Sequence, residues 1–328
     1  MSIRSSLLSK GALLWLLLAN VVWAATPNLP VTLRVGVASQ LGPDTWLKAA
    51  GLDRNLPYKI EWSYFVASPA GLEALRAGHI DIVMGGGQGV LNVATRPDAI
   101  AAVSAYRRTL YVGLIVPKSS PAKSVADLRG RKIAIYRAGG SHGTLLQILS
   151  RAGLAMGDVT LVNLTPPDAM AAFSKGDVDA WMIWDPSVAI AQQKYGARVL
   201  AVPDANDIGQ FGFHYANRKA LQDPGKRAAL IDYITRHVRS LEWLKQNPDK
   251  WATLQAQLSK IDPAAALLSA KRTGIEYVPI DASLVQQEQK FADLMVDLKV
   301  IPRKVDVHPA FDLNFNSQVT HALGAKTH

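Results

Sequence analysis

The sequence predicts an α/β protein with mainly parallel sheets, followed by a helical C-terminal region. Up to about residue 205, short apolar runs with a strand pattern alternate with segments of helical periodicity. Strands that alternate with helices at this spacing are typical of parallel sheets covered on both faces. From Ala228 onward the pattern is predominantly helical. We therefore expect two α/β lobes and a set of C-terminal helices.

Residues 31–116 are predicted to form the first lobe. Apolar runs predict strands at 31–37, 59–65, 80–84, 99–103 and 111–116, with helices at 45–50, 68–77 and 90–95. Ser68 suits the cap of the second helix, and Gly78 suits its end. The strand at 80–84 leads into a glycine-rich segment, 85–89, that marks a strand-to-helix loop.

Residues 117–207 are predicted to form the second lobe, after a proline-bounded break at 117–121. Residues 124–127 have the spacing of a capping box. Strands are predicted at 132–136, 159–164, 178–183 and 198–202, with helices at 144–152, 167–174 and 186–195. Residues 208–328 are then expected to return to the first lobe, with helices at 228–246, 248–258, 263–273 and 283–299. Crossings near Val116 and near residues 207–213 would join the lobes.

The strand at 178–183 ends in a distinctive group of residues, Trp184, Asp185 and Pro186. Trp184 would stand at the carboxyl end of the strand, the edge where open α/β sheets bind ligands. Asp185 suits the cap of the next helix, and Pro186 suits its first position. Trp181 is expected to point into the core, and burial of Trp184 in the core is the alternative interpretation.

The first 24 residues have the pattern of a secretory signal peptide. Arg4 and Lys10 precede an apolar run at 11–22, and small residues surround the predicted cleavage site after Ala24. The run is too short to span a bilayer as a mature helix, although a retained anchor is the alternative. We therefore expect a periplasmic protein. The sequence contains no cysteine, so its stability must come from a core.

The formal net charge of +10 favours an anionic ligand or an acidic docking surface. Lysine and arginine are scattered without a run of five, and an exported protein is not expected to meet nucleic acid. The tail histidines, His308, His321 and His328, lack metal-ligand spacing. We therefore expect a small anionic ligand, without a metal or a cofactor.

Four segments resemble the periplasmic solute-binding proteins of ABC importers for aliphatic sulfonates, taurine and nitrate. They are LEALRAGHIDIV at 72–83, SVADLRGRKIAI at 124–135, GDVDAWMIWDP at 176–186, and SLEWLKQNPDKW at 240–251 with the tail DLKVIPRKVDV at 297–307. The resemblance covers about residues 33–307. It implies the type II periplasmic binding protein fold, in which two lobes close on a ligand and dock on a membrane permease. It also implies a monomer without enzymatic activity.

Two departures leave the identity of the ligand open. The first-lobe loop of the family often reads Thr-Gly-Asp-Ala-Pro-Pro, whereas residues 85–90 here read GGGQGV. The second-lobe loop often carries two serines before a histidine. Here Gly139 and Gly140 take the serine positions, while His142 matches the histidine. An alkyl- or arylsulfonate is the expected ligand, and nitrate, taurine or another small anion is the alternative.

A buried sulfonate needs hydrogen-bond donors, because it is ionised and offers three acceptor oxygens. Backbone amides at helix N-termini supply such donors, and glycine permits close approach. We call the two candidate segments the first loop (Gly86, Gly87 and Gln88) and the second loop (Gly140, Ser141 and His142). The alternatives are a tight turn with positive φ angles for the first loop and a plain helix cap by Ser141 for the second.

Four other residues complete the expected ligand contacts. Gln40 follows the first strand and could donate to a ligand oxygen, and Trp184 could form a wall for an alkyl or aryl portion. Asp185 is expected to cap its helix, or to bind an ammonium group if the ligand is an amino-sulfonate. His214 has two interpretations, as a core or hinge residue and as a ligand contact.

An esterase of the α/β-hydrolase type is the alternative function. Residues 139–143 fit G-x-S-x-G, and the order Ser141, Asp185, His214 suits a catalytic triad. The helical C-terminal region leaves no later strands to carry the acid and the base, so a binding protein is favoured. A sensor subunit that delivers its ligand to a receptor instead of a permease stays open.

Overall fold

The computed structural model describes residues 31–38, 41–109, 112–137, 140–200, 211–272 and 274–324, with the side chains of residues 108, 109, 140 and 275 not included. The predicted signal peptide, Gln40 and the predicted second crossing up to residue 210 lie outside the described residues. None of the helices in this part of the chain is both long and apolar enough to cross a membrane.

Strands and helices alternate through the first two thirds of the chain, as the sequence predicts. The strands are β1 (Thr32–Val37), β2 (Lys59–Tyr64), β3 (Ile82–Gly86), β4 (Ile100–Thr109), β5 (Val112–Val116), β6 (Lys132–Ile135), β7 (Thr160–Asn163), β8 (Ala180–Trp184), β9 (Arg198–Val199), β10 (Phe211–Asn217) and β11 (Gly274–Val278). The helices are α1 (Pro43–Ala49), α2 (Ser68–Arg76), α3 (Gln88–Ala94), α4 (Gly140–Arg151), α5 (Pro166–Lys175), α6 (Ser187–Tyr195), α7 (Arg218–Gln222), α8 (Pro224–Gln246), α9 (Pro248–Ser259), α10 (Pro263–Lys271), α11 (Ala282–Asp297) and α12 (Leu313–Gly324).

The strands form two sheets, each built around three parallel strands. The first sheet has the order β11-β4-β10-β3-β1-β2, and the second has the order β7-β6-β8-β5-β9. In the first, β1 is parallel to β2 and β3; in the second, β6 is parallel to β7 and β8. Antiparallel pairing adds β10, β4 and β11 to the first sheet, and β5 and β9 to the second. We call the first sheet with its helices the first lobe, and the second sheet with α4, α5 and α6 the second lobe.

Strand β5 differs from the expectation that residues 111–116 complete the first lobe. It pairs antiparallel with β8 and β9 of the second sheet, with Leu114 opposite Met182. Leu114 and Met182 are also buried in the same apolar cluster of the second lobe. Because β5 buries its side chains there, the chain changes sheets between β4 and β5 and not after Val116.

Local sequence signals set where many helices begin. Asp262 and Asp281 accept hydrogen bonds from first-turn amides of α10 and α11, and Thr165 does so for α5. Proline then occupies an early position in α5 and α10. Ser68 differs from its predicted role, because it is the first residue of α2 and the preceding Ala67 has no capping side chain.

The C-terminal region contains elements that the sequence pattern does not predict. Strand β11 pairs with β4 at the edge of the first sheet. Helix α12 buries Phe315 and Val319 in the core of the first lobe. These additions complete the first lobe, so the C-terminal region is not purely helical.

The cores of the lobes place the tryptophans and bring α4 against the first lobe. Trp181 is 1% exposed and its ring centroid lies 6.0 Å from that of Phe173, which confirms its predicted core position. Leu146 of α4 packs in the same cluster as Leu284 and Met295 of α11. The start of the second lobe's helix α4 therefore lies close to α11 in the first lobe.

Candidate functional site

A cleft of about 730 Å³ lies between the lobes at the carboxyl ends of their parallel strands. We call it the interlobe cleft. The first lobe contributes residues that follow β1 and β2, and residues of α8, α9 and α10; the second lobe contributes residues that follow β7 and β8. Its lining includes Leu41, Trp46, Tyr64, Phe65 and Trp251 from the first lobe and Pro167, Met170, Trp184 and Ile190 from the second.

Aromatic rings give the cleft rigid apolar walls. Trp46 on α1 is almost fully buried and stacks on the ring of His237 with 5.5 Å between centroids. Trp251 on α9 is 3% exposed. Trp184, which ends β8, is half-buried and lines the cleft from the other lobe. Such walls suit an alkyl or aryl portion of a ligand, because they bury its apolar surface.

Asp185 places a carboxylate in this apolar cleft. Its Oδ1 accepts a hydrogen bond from the amide of Ala189 at 3.0 Å and lies 3.7 Å from Arg272 Nη1. Asp185 thus accepts from a first-turn amide of α6 as predicted, but Pro186 occupies the N-cap position and α6 begins at Ser187, so the prediction of Pro186 as the first helical residue is wrong. The Oδ2 atom has no hydrogen-bond partner among the described residues. Burial raises the pKa of Asp185, and Arg272 and the Ala189 amide oppose that rise.

The first loop uses its glycines for close packing. The amide of Gly87 donates to the carbonyl of Phe211 at 2.9 Å, and the carbonyl of Gly86 accepts from the Tyr215 hydroxyl at 2.8 Å. Gly87 has a φ of −56°, so the interpretation as a turn with positive φ angles is wrong. Because the Gly87 amide is engaged by Phe211, it is not available to an anion in this conformation, contrary to the expectation.

Glu288 on α11 packs closely against Gly87. A Cβ atom at Gly87 would lie 3.1 Å from Glu288 Oε1 and 3.2 Å from Oε2. Glu288 is 3% exposed, and its Oε2 has no hydrogen-bond partner within the described parts of the chain. Burial raises the pKa of this carboxyl to about 8. The sequence pattern does not single out Glu288, although this residue lies on the apolar face of α11 at i+4 from Leu284 and i−3 from Phe291.

The second loop starts α4, which begins at Gly140. Ser141 and His142 are 3% and 7% exposed, and neither Ser141 Oγ nor His142 Nδ1 has a hydrogen-bond partner among the residues that the structure describes. The interpretation of Ser141 as a plain helix cap is therefore wrong. Burial lowers the pKa of His142, and the positive charge of Arg137 adds to this effect.

The two loops face each other across the lobe boundary. Gln88 Oε1 would lie 3.6 Å from a Cβ atom at Gly143, which follows the second loop on α4. Phe291 of α11 approaches the same point, with its Cζ 2.5 Å from that Cβ position. Helix α11 thus contacts the first loop through Glu288 and the start of α4 through Phe291.

Sheet topology places both loops beside the interlobe cleft. In the second lobe β6 lies between β7 and β8, whose following residues line the cleft, so the second loop after β6 emerges between them. In the first lobe β3 neighbours β1, and Leu41 after β1 lines the cleft. Neighbouring strands are about 4.8 Å apart, so in each lobe the polar loop and the residues that line the cleft are adjacent at the carboxyl edge of that lobe's sheet. Gln40 follows β1 of the first sheet in the sequence but lies outside the described residues.

His214 lies in the core of the first lobe and not at the cleft. Its Nδ1 is 3.1 Å from Ser104 Oγ, and its Nε2 is 2.9 Å from His237 Nδ1. The side chain is 1% exposed, and burial lowers the pKa of His214 to about 3. This burial agrees with the core interpretation, and His214 is not among the residues that line the interlobe cleft, because β10 turns this side chain toward α8.

The hydrolase triad is not assembled. Both ring nitrogens of His214 are engaged by Ser104 and His237, so neither serves Ser141 as a base. Asp185 pairs instead with Arg272 and the Ala189 amide. In addition, the described residues contain no group of three or more histidine, aspartate or glutamate side chains that could hold a metal ion.

Two α/β lobes with a cleft at the carboxyl ends of their strands define a two-lobed binding protein with the periplasmic binding protein fold. The chain belongs to the NMT1/THI5-like family, whose model matches residues 67–250. This membership and the relatives below confirm the resemblance that the sequence motifs indicate.

Characterised and named relatives cover nearly the whole chain. An Escherichia coli K12 protein, provisionally named an aliphatic sulfonates-binding protein, is 33% identical over 314 residues, which cover 91% of this chain and 94% of that protein. The alkanesulfonate-binding protein SsuA from Xanthomonas axonopodis pv. citri, solved bound to MOPS, has a TM-score of 0.77 at 29% identity and covers 86% of this chain and 98% of its own. The periplasmic aliphatic sulphonate binding protein SsuA from Escherichia coli has a TM-score of 0.75 at 29% identity, with coverages of 87% and 92%.

Proposed function

We propose that this chain is the periplasmic solute-binding subunit of an ABC importer and captures an alkyl- or arylsulfonate. The observation that carries the proposal is the juxtaposition of an aromatic interlobe cleft with two loops whose buried polar side chains lack partners among the described residues. This division into apolar and polar parts matches a ligand with an apolar portion and an anionic head. Relatives named for sulfonate binding support the same ligand class.

The sulfonate head is proposed to lie against the second loop. Helix α4 has 12 residues, and its first amides at Gly140, Ser141 and His142 have no earlier turn of the helix to accept them. The hydroxyl of Ser141 and the ring of His142 add donors. From the first lobe, Gln88 reaches toward the same helix start. Burial of an ionised head would otherwise cost several kcal/mol, so these donors make capture favourable.

The ligand's apolar portion is proposed to lie in the interlobe cleft against Trp184. A volume of about 730 Å³ falls within the range of about 300–1,000 Å³ for small-molecule sites. Asp185 then faces the end of the ligand remote from the sulfonate, where it would attract an ammonium group and repel a second anion. Gln40 is proposed as a further donor to the head, while Gly86 and Gly87 shape the first loop.

Export and transport follow from the same proposal. Residues 1–24 have a signal-peptide pattern, and a solved relative is named periplasmic. Release of the ligand would then require a membrane permease as partner. Delivery to a sensor receptor is the alternative fate, and a permease gene beside this one would favour transport.

Calorimetry tests the ligand class. Titration of the protein with butanesulfonate, benzenesulfonate, taurine, nitrate and butanoate should give binding heat with the sulfonates and none with butanoate at matched concentration. The proposal fails if neither alkyl- nor arylsulfonate binds. No ester hydrolysis is expected from the protein, and turnover that disappears in Ser141→Ala would instead establish the esterase.

Gln88→Ala tests the head position. Loss of one hydrogen bond to a charged group should weaken sulfonate binding by about 1.5–3 kcal/mol. The control is Gln286→Ala, because Gln286 is exposed on α11. Equal affinities of the Gln88 variant and the control would remove the first loop from the site.

A further inference from the structure

We infer that Glu288 binds the anionic head of the ligand as a neutral carboxylic acid, and that ligand capture therefore takes up a proton in mildly alkaline solution. The inference deepens the proposed function and rests on it. Glu288 is contributed by α11 and lies outside both loops.

The position of Glu288 brings its carboxyl group to the meeting point of the lobes. Both carboxyl oxygens lie beside Gly87, at 3.1 and 3.2 Å from the position that a Cβ atom would take there, which is a tight contact. One turn later on the same face of α11, Phe291 contacts the position of Gly143 on α4. Gln88, which follows Gly87, also reaches Gly143. Helix α11 thus places the carboxyl group against the first loop and, one turn later, a ring against the start of α4.

Four polar side chains at this meeting point have an atom without a hydrogen-bond partner among the described residues. They are Gln88 Oε1, Ser141 Oγ, His142 Nδ1 and Glu288 Oε2. Ser141, His142 and Glu288 are each more than nine-tenths buried. Buried polar groups in native proteins are almost always satisfied, so a cluster of such atoms from three elements indicates a bound polar group. The three oxygens of a sulfonate head can accept from the Ser141 hydroxyl, from His142 Nδ1 in the tautomer that carries a proton there, and from a protonated Glu288, whereas Gln88 Oε1 is itself an acceptor and Gln88 would donate through its amide nitrogen.

The chemistry of the ligand selects the neutral form of Glu288. A sulfonate offers acceptors and no donor, so a carboxylate would repel it, whereas a carboxylic acid donates an O–H bond to it. Burial raises the pKa of Glu288 to about 8 and is the sole cause of that shift. Titratable side chains on the surrounding elements include His142 at the start of α4 and Tyr215 on β10, whose hydroxyl donates to the carbonyl of Gly86. At neutral pH the donor form therefore predominates.

The sign of the pH effect follows from linkage. Binding that requires the protonated carboxyl is unaffected well below pH 8 and weakens as the pH rises through the pKa. With a free-state pKa of about 8, affinity at pH 9.5 should be roughly 30-fold lower than at pH 7. An alkanesulfonate has no group that titrates in this range, so the change must come from the protein. Burial lowers the pKa of His142 below its usual value, so His142 is neutral throughout the same interval.

Proton uptake in the wild-type protein provides the primary test. Butanesulfonate binding is measured by calorimetry at pH 8.5 in two buffers with different ionisation enthalpies. For a pKa of about 8, binding should take up roughly three quarters of a proton at pH 8.5 and almost none at pH 6.5. This measurement needs no variant, so a failure to fold cannot obscure it. Binding without proton uptake at pH 8.5 overturns the inference.

Glu288→Gln assigns the proton to this residue. Glutamine keeps the size and a donor, so the variant should bind butanesulfonate with an affinity that is constant between pH 7 and 9.5. A variant with the same pH-dependent decline as the wild type overturns the role of Glu288 and leaves the proposed function intact. If the wild-type protein binds no sulfonate at pH 7, the proposed function itself fails, and the inference fails with it.

Discussion

Replacing Glu288 with glutamine should remove a pH-dependent loss of stability, whatever the ligand. Burial raises the pKa of this carboxyl from an ordinary 4.5 to about 8. The stability that the neutral carboxyl contributes is therefore complete below about pH 4.5 and is lost progressively up to about pH 8. In this window the free energy of unfolding falls by about 1.4 kcal/mol per pH unit. Between pH 5 and pH 7.5 the loss amounts to about 3 kcal/mol.

Urea unfolding followed by tryptophan fluorescence measures this loss. The wild type, Glu288→Gln and Glu242→Gln are unfolded at pH 5, 6, 7 and 7.5. Glu242 is an exposed residue of α8 and serves as the matched control. Relative to the wild type, Glu288→Gln should gain about 3 kcal/mol of unfolding free energy across the series, while Glu242→Gln follows the wild type.

Subtraction of the two unfolding curves isolates the carboxyl group. Other titrating groups are common to both proteins and cancel, and the cost of burying a glutamine amide does not change with pH. If the wild type and Glu288→Gln keep a constant difference from pH 5 to pH 7.5, Glu288 titrates like an exposed carboxyl. Burial would then not raise the pKa of this carboxyl.

Three further predictions concern the site and its surroundings. Trp184→Ala should weaken benzenesulfonate binding by about 1–2 kcal/mol and methanesulfonate binding much less, measured by calorimetry; equal losses would place the ring away from the ligand's apolar portion. Gly143→Ala should lower the free energy of unfolding by about 1–3 kcal/mol, because its Cβ would collide with a ring on α11. The control Gly157→Ala should not lower the free energy of unfolding in this way, because a Cβ atom at Gly157 would meet open space. His214→Phe should cost about 1–3 kcal/mol in urea unfolding, by leaving His237 unpaired, without changing sulfonate affinity; a selective loss of affinity would contradict its core position.

Much of the fold could be predicted because its signals are local. Apolar runs mark the buried parallel strands, and Asp262 and Asp281 mark helix starts through their own side-chain hydrogen bonds. Sheet membership is not local. The sequence of β5 predicts a strand, but its place in the second sheet depends on pairing with β8, about 70 residues later. Strand β11 is likewise defined by its pairing with β4.

The residues of the candidate site likewise fall into those with a local sequence signal and those without one. Trp184 and Asp185 were found because a strand end and a helix start are visible in consecutive residues. His214 could not be placed, because its partners Ser104 and His237 are 110 and 23 residues away. Glu288 was missed since a charged residue in an amphipathic helix usually faces solvent. Its spacing from Leu284 and Phe291 was the available signal.

The arrangement of polar atoms connects ligand capture to lobe closure. Gln88 and Glu288 belong to the first lobe, whereas Ser141 and His142 belong to the second, and each has a buried atom without a partner in the described chain. Such an atom costs about 1–3 kcal/mol when buried, and water satisfies it when the lobes separate. Closure of the lobes without a ligand is therefore unfavourable, because it buries several unpartnered polar atoms at once. A sulfonate head that accepts bonds from Glu288 in the first lobe and from Ser141 and His142 in the second removes three of these costs together, so in the proposed mechanism capture and closure each favour the other.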